Sequence, residues 1–91
     1  MPTPRRKPPP PLLKGRLPIP DRIRFIHIYG IPYYLPWEGL LPGYSFFLKT
    51  TATATEVRKM LRTAERHFHI ELKAHNRNEF GYYGVRVWRM N

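Results

Sequence analysis

The sequence predicts an α+β domain: a small, mainly antiparallel sheet with one helix packed on one face, behind a Pro-rich basic arm. Three observations carry that prediction. Eight of the eleven prolines fall within the first twenty residues. Apolar residues recur at helical spacing across residues 54–68. Runs rich in β-branched and aromatic residues, bounded by Gly, Pro and Asn, flank that segment on both sides.

Residues 1–20 are expected to be disordered or extended, because proline lacks an amide donor and disfavours helix at the residue before it. Arg5, Pro8 and Pro11 fit the pattern read by SH3-type grooves, but any basic proline run fits it. A solvated arm is the preferred reading. Residues 21–91 then make one domain, whose size buries only about 60% of its unfolded surface and predicts modest stability.

Residues 22–29 read as a strand, with Ile23, Phe25, His27 and Tyr29 on one face and Arg22, Arg24, Ile26 and Ile28 on the other. Residues 30–43 are broken by Gly and Pro and read as a loop, whose Tyr33, Tyr34, Leu35 and Trp37 are expected to pack over the core edge. Residues 44–49 form a second strand with Tyr44, Phe46 and Leu48 inward. Thr53 and Glu56 have the spacing of a capping box, and the helix after them presents Val57, Met60, Leu61, Ala64 and Phe68 as its apolar stripe. Residues 69–75 are a third strand with Ile70 and Leu72 inward. Asn76-Arg77-Asn78 and Gly81 supply a turn. Residues 82–90 close the sheet, with Tyr83, Val85 and Val87 on the core side and Tyr82, Arg86, Trp88 and Met90 on the other.

Charge narrows the function. The chain carries a net +10, and eleven of its sixteen cations are Arg. The first 24 residues hold seven cations against Asp21, and residues 49–91 hold nine against four Glu. Such a surface attracts polyanions at long range, and the guanidinium fork suits phosphate and guanine edges. No secretory signal is expected, since Pro8 to Pro11 stand where the apolar region would lie. No apolar run approaches the roughly 20 residues of a membrane span. Cysteine is absent, which removes disulfides and thiolate metal sites.

The catalytic inventory is thin: Ser45 is the only Ser and Asp21 the only Asp. His67 and His69 match no metal spacing, and a nuclease built on either is a minor alternative. No phosphate loop or dinucleotide fingerprint occurs. The chain is therefore expected to be no enzyme and to need no cofactor. The residues expected to meet nucleic acid are Arg5, Arg6 and Lys7 of the arm, the helix ridge Arg58, Arg62 and Arg66, and Lys73, Arg86, Trp88 and Arg89 of the strands. Lys and Arg would neutralise phosphates, while Trp88 would stack on a base. DNA and RNA both remain open.

The run Tyr44-Ser45-Phe46-Phe47, the basic helix, and the closing Gly84-Val85-Arg86-Val87-Trp88-Arg89-Met90 resemble a group of small uncharacterised proteins of tailed bacteriophages. The resemblance covers residues 43–91. It implies a phage origin, a regulatory role in the host cytoplasm, and no site residues. The alternative function is a module that docks on a host protein through Tyr33, Tyr34, Trp37 and Trp88.

Overall fold

The computed structural model describes residues 19–91. Its elements run α1 (Asp21–Arg24), β1 (Phe25–Ile28), β2 (Ile31–Tyr34), a 3₁₀ turn (Trp37–Gly39), β3 (Ser45–Lys49), α2 (Ala54–Met60), α3 (Arg62–Phe68), β4 (Leu72–Glu79) and β5 (Tyr82–Arg89). The α+β class stands. The strands form two antiparallel sheets instead of one: a β1–β2 hairpin, and a three-stranded sheet in the order β3-β5-β4.

The first expected strand begins as a single helical turn. The Pro20 carbonyl accepts the amides of Ile23 and Arg24, both at 2.9 Å, so Arg22 to Arg24 are helical and the strand starts only at Phe25. The expected loop then turns back as β2. Tyr29 and Gly30 both have positive φ, 53° and 79°, which is the signature of a two-residue type I′ hairpin turn. Pro32 pairs with His27 without breaking the hairpin, because β2 is an edge strand. Beyond it Leu35 and Trp37 are buried as expected, Tyr33 packs against the core, and Tyr34 is exposed. The Trp37 indole N–H donates to the Ile23 carbonyl at 2.8 Å, which satisfies the one polar atom of its buried ring.

The capping box forms. Thr53 Oγ1 accepts the Glu56 amide at 3.1 Å, and Glu56 Oε1 accepts the Thr53 amide at 2.9 Å. The expected helix is one rod with an interruption at Leu61, across which hydrogen bonding continues from Leu61 to Val57 and from Glu65 to Leu61. Val57, Leu61 and Ala64 are buried and Phe68 is partly so, whereas Met60 turns outward. His69 ends the rod in the left-handed conformation, φ 55°.

The turn expected at Asn76-Arg77-Asn78 lies inside β4. The chain reverses at Phe80-Gly81, a second pair of positive φ values, 53° and 82°. Asn76 serves instead as a brace. Its side chain accepts the Ala54 amide at 3.0 Å and donates to the Ala52 carbonyl at 3.2 Å, fixing the start of α2 against the strand.

The rod and the first hairpin cover one face of the three-stranded sheet. The core gathers Ile23, Ile26, Ile28, Leu35, Trp37 and Leu40 with Val57 and Leu61 over Leu48, Leu72, Val85 and Val87. Burying each such aliphatic side chain contributes about 1.5–3 kcal/mol. No helix among the described residues is long and apolar enough to cross a membrane.

Candidate nucleic-acid interface

Register assigns the opposite face of the sheet residue by residue. Ser45, Trp88 and Lys73 share one row, Phe47, Arg86 and His75 the next, and Lys49, Gly84 and Arg77 the third, with Tyr82 and Glu79 beyond. Gly84 is the one residue of this face that is buried. A Cβ there would collide with the Leu48 carbonyl and come within 2.6 Å of Phe47 Cζ, so glycine is what lets the Phe47 ring lie across β5.

Arg86 sits at the centre. Its Nε and Nη2 donate to the two Glu79 oxygens at 2.7 and 2.5 Å, its Nη1 donates to Ser45 Oγ at 2.9 Å, and its guanidinium lies 5.6 Å from the Phe47 centroid. The pair perturbs both partners. Hydrogen bonding to Arg86 holds the Glu79 carboxyl below its ordinary range, and the same contact raises Arg86. Arg77 approaches Glu79 at 3.2 Å as well, and its guanidinium lies 5.8 Å from the Trp88 ring. His75 meets Trp88 edge-on at 5.6 Å. Lys49 Nζ stands 3.8 Å above the Tyr82 ring. Four Lys and Arg, three large aromatic rings, a histidine and a single carboxylate thus share one sheet face.

Lys73 and His75 also face a groove between the rod and the edge strand β4. Arg58, Lys59 and Arg62 form its other wall, and its volume is about 410 Å³. Arg58 is engaged there: its Nη2 donates to Glu65 Oε2 at 3.0 Å, and that same oxygen accepts the Leu72 amide at 2.8 Å. Lys59, Arg62 and Lys73 form no salt bridge among the described residues, although Lys59 lies close enough to Glu56 to help the Thr53 amide lower its pKa.

The expected site residues therefore separate. Lys73, Arg86 and Trp88 share the open face, and Arg58 and Arg62 share the adjoining groove through Lys73. Arg66 is exposed one turn further along the rod, outside the groove. Arg89 is a correction. Strand alternation turns it to the covered side, where Nη1 donates to the Leu40 carbonyl at 2.9 Å and Nε is buried, so it braces the Leu40 loop and is not placed to read a base edge. Arg5, Arg6 and Lys7 lie outside the described residues. His75, Arg77, Lys49 and Tyr82 were missing from the expected set. The alternation Lys73, His75, Arg77, Glu79 could have revealed the first two, had Asn76 and Asn78 not read as a turn. Among the described residues no three His, Asp or Glu side chains cluster as a metal site.

No family model matches the chain, and no curated protein or solved structure matches it either.

Proposed function

We propose that this is a non-enzymatic nucleic-acid-binding protein that uses the open sheet face, the helix–β4 groove and the basic arm as one surface. The observation that carries the reading is the composition of that face: Phe47, Tyr82 and Trp88 alternate with Lys49, Lys73, Arg77 and Arg86, while its single acid, Glu79, is held by two of those cations. Rings of this kind stack on bases and the cations neutralise phosphates. A phage regulator acting in the host cytoplasm is the setting that the resemblance of residues 43–91 suggests. The rival, docking on a host protein, is weakened because Trp37 is buried and Tyr33 packs against the core, leaving two of its four anchors.

Fluorescence anisotropy with labelled single- and double-stranded DNA and RNA tests the proposal. Wild type is expected to bind at micromolar concentration or below in low salt, and the double reversal Arg62→Glu/Lys73→Glu to lose most of that affinity. Replacing Arg5, Arg6 and Lys7 by Gln should weaken binding further. Absence of binding by wild type at low salt would overturn the reading and favour a protein partner.

A further inference from the structure

The two hairpin tips pose a problem that core packing does not answer. A two-residue type I′ turn needs positive φ at both central positions, and Asn-Gly meets that need best. Here the first position is Tyr29 in one hairpin and Phe80 in the other, each at φ 53°. A bulky aromatic residue is a rare and strained occupant of that conformation. Neither ring is rewarded by burial. Tyr29 is 67% exposed, and Phe80, at 90%, is the most exposed large apolar side chain of the described residues.

Tyr29 of the first tip shares a groove with the two residues that follow the second tip. A groove of about 340 Å³ is lined by Tyr29, Ile31 and Tyr33 from the first hairpin and by Tyr82 and Tyr83 from the second, with Lys49 between them. That volume lies at the lower end of the roughly 300–1,000 Å³ typical of small-ligand pockets. The groove continues onto the open sheet face through Tyr82 and Lys49. Of the two carboxylates nearby, Glu79 is paired with Arg86 and Arg77, while Glu56 accepts the Thr53 amide and the Tyr29 hydroxyl, the latter at 3.4 Å, and keeps its charge on the far side of Tyr29. The cation that stands among the rings of the groove is Lys49.

We infer that Phe80 is a base-stacking residue and that the ligand is single-stranded nucleic acid, an inference that rests on the nucleic-acid reading above. A duplex offers phosphates and base edges to a hairpin tip, while the faces of its bases are already stacked. A single strand exposes those faces, and aromatic side chains beside cations are what such strands recognise. On this account Phe80 receives a base at the tip, the tyrosine groove and Tyr82 carry the strand onto the sheet, and Lys49 neutralises a phosphate between them. The strain at Phe80 is retained because Asn, which suits the turn, has no ring.

The substitutions Phe80→Asn and Phe80→Trp test this on the full chain. The probes are a labelled oligothymidylate of about 12 nucleotides, within the usual site-size range, and a duplex of equal length. Thermal unfolding is followed by circular dichroism. F80N is expected to melt above wild type, because Asn-Gly suits the turn, yet to bind the single strand roughly 5- to 150-fold more weakly, the loss of one stacked base. Its duplex affinity should be unchanged, and F80W should bind the single strand as well as wild type or better. Single-strand affinity of F80N within twofold of wild type would overturn the role of Phe80 and leave the nucleic-acid reading intact. Equal losses on single strand and duplex would overturn base stacking. Binding of neither probe by wild type would sink the nucleic-acid reading itself and assign the exposed rings to a protein interface.

Discussion

Lys59, Arg62 and Lys73 allow the electrostatic part of the proposed binding to be isolated, because they face one groove and none of them is in a salt bridge. Each phosphate neutralised on a single strand contributes about 0.7 to the slope of log K against log salt, through release of condensed counterions. Three contacts therefore contribute a slope of about 2. Between roughly 50 and 200 mM salt, a fourfold change, that amounts to about a 20-fold loss of affinity. The triple variant Lys59→Gln/Arg62→Gln/Lys73→Gln should show a salt slope shallower than wild type by about 2. The two affinities should converge as salt rises. Folding should change by less than about 0.5 kcal/mol, since no buried contact is lost. Arg58 is deliberately left in place: its link to Glu65, which also holds the Leu72 amide, joins the rod to β4, and removing it would confuse stability with binding. Anisotropy titrations at four salt concentrations, with urea unfolding as the control, measure both quantities. Parallel slopes for wild type and variant would refute the groove as a phosphate track, whatever the absolute affinities.

Two further predictions concern the scaffold beneath that surface. Gly84→Ala should destabilise the protein by about 1–3 kcal/mol, because the new methyl meets the Leu48 carbonyl and Phe47 Cζ in the central strand. That is a large part of the roughly 4–11 kcal/mol expected for a domain of this size, and a urea midpoint equal to wild type would show that the strands can part at no cost. The Glu79–Arg86 pair predicts a pH dependence. The folded-state pKa of Glu79 lies below its ordinary value of 4.5, so its stabilisation is complete above that value and is lost as pH falls through the lower, folded-state value. The stability advantage of wild type over Glu79→Gln in urea should accordingly be present at neutral pH and shrink below pH 4.5; an advantage independent of pH would mean that the pair contributes nothing through ionisation.

The legible parts of this fold are those where side-chain period and burial agree. The stripe Val57, Leu61, Ala64 and the alternation Val85, Arg86, Val87, Trp88 each obey one period, and both lie where that period puts them. The capping box was readable because Thr53 and Glu56 satisfy each other locally. The misread segments are those in which a residue's local preference was overruled. Pro32 and Gly30 punctuate β2, yet the strand forms, because a proline on an edge leaves no ladder bond unmade and Gly30 supplies the turn. Asn76 and Asn78 look like turn residues, but the Asn76 amide binds Ala52 and Ala54 at the start of α2, long-range partners no local window contains. Both true turns carry an aromatic where Asn belongs, so Tyr29 and Phe80 lack the usual local signature of a turn. Arg89 was misassigned because the Gly-Val-Arg-Val-Trp-Arg run offers two arginines, and alternation sends them to opposite faces.

That opposition explains how one short strand both builds the core and furnishes the open face. Val85 and Val87 anchor β5 beneath the rod, so the positions of Arg86 and Trp88 on the other side are fixed by the core and not by each other. The cations of the open surface then fall into two kinds. Arg86 is immobilised by two oxygens of Glu79 and by Ser45, which sets its geometry, and because Arg77 shares that carboxylate the trio keeps one net positive charge. Lys73, Arg62 and Lys59 keep their charge and have no such partner. On the proposed reading, long-range attraction comes from the groove, Lys49 and the basic arm, while Arg86 holds Phe47 and the sheet face in shape. A phosphate that reached Arg86 would have to displace Glu79 from a bidentate pair. On the proposed reading the groove and the rings are the parts of this surface that meet nucleic acid first, and Arg86 is the part that keeps the sheet face in place.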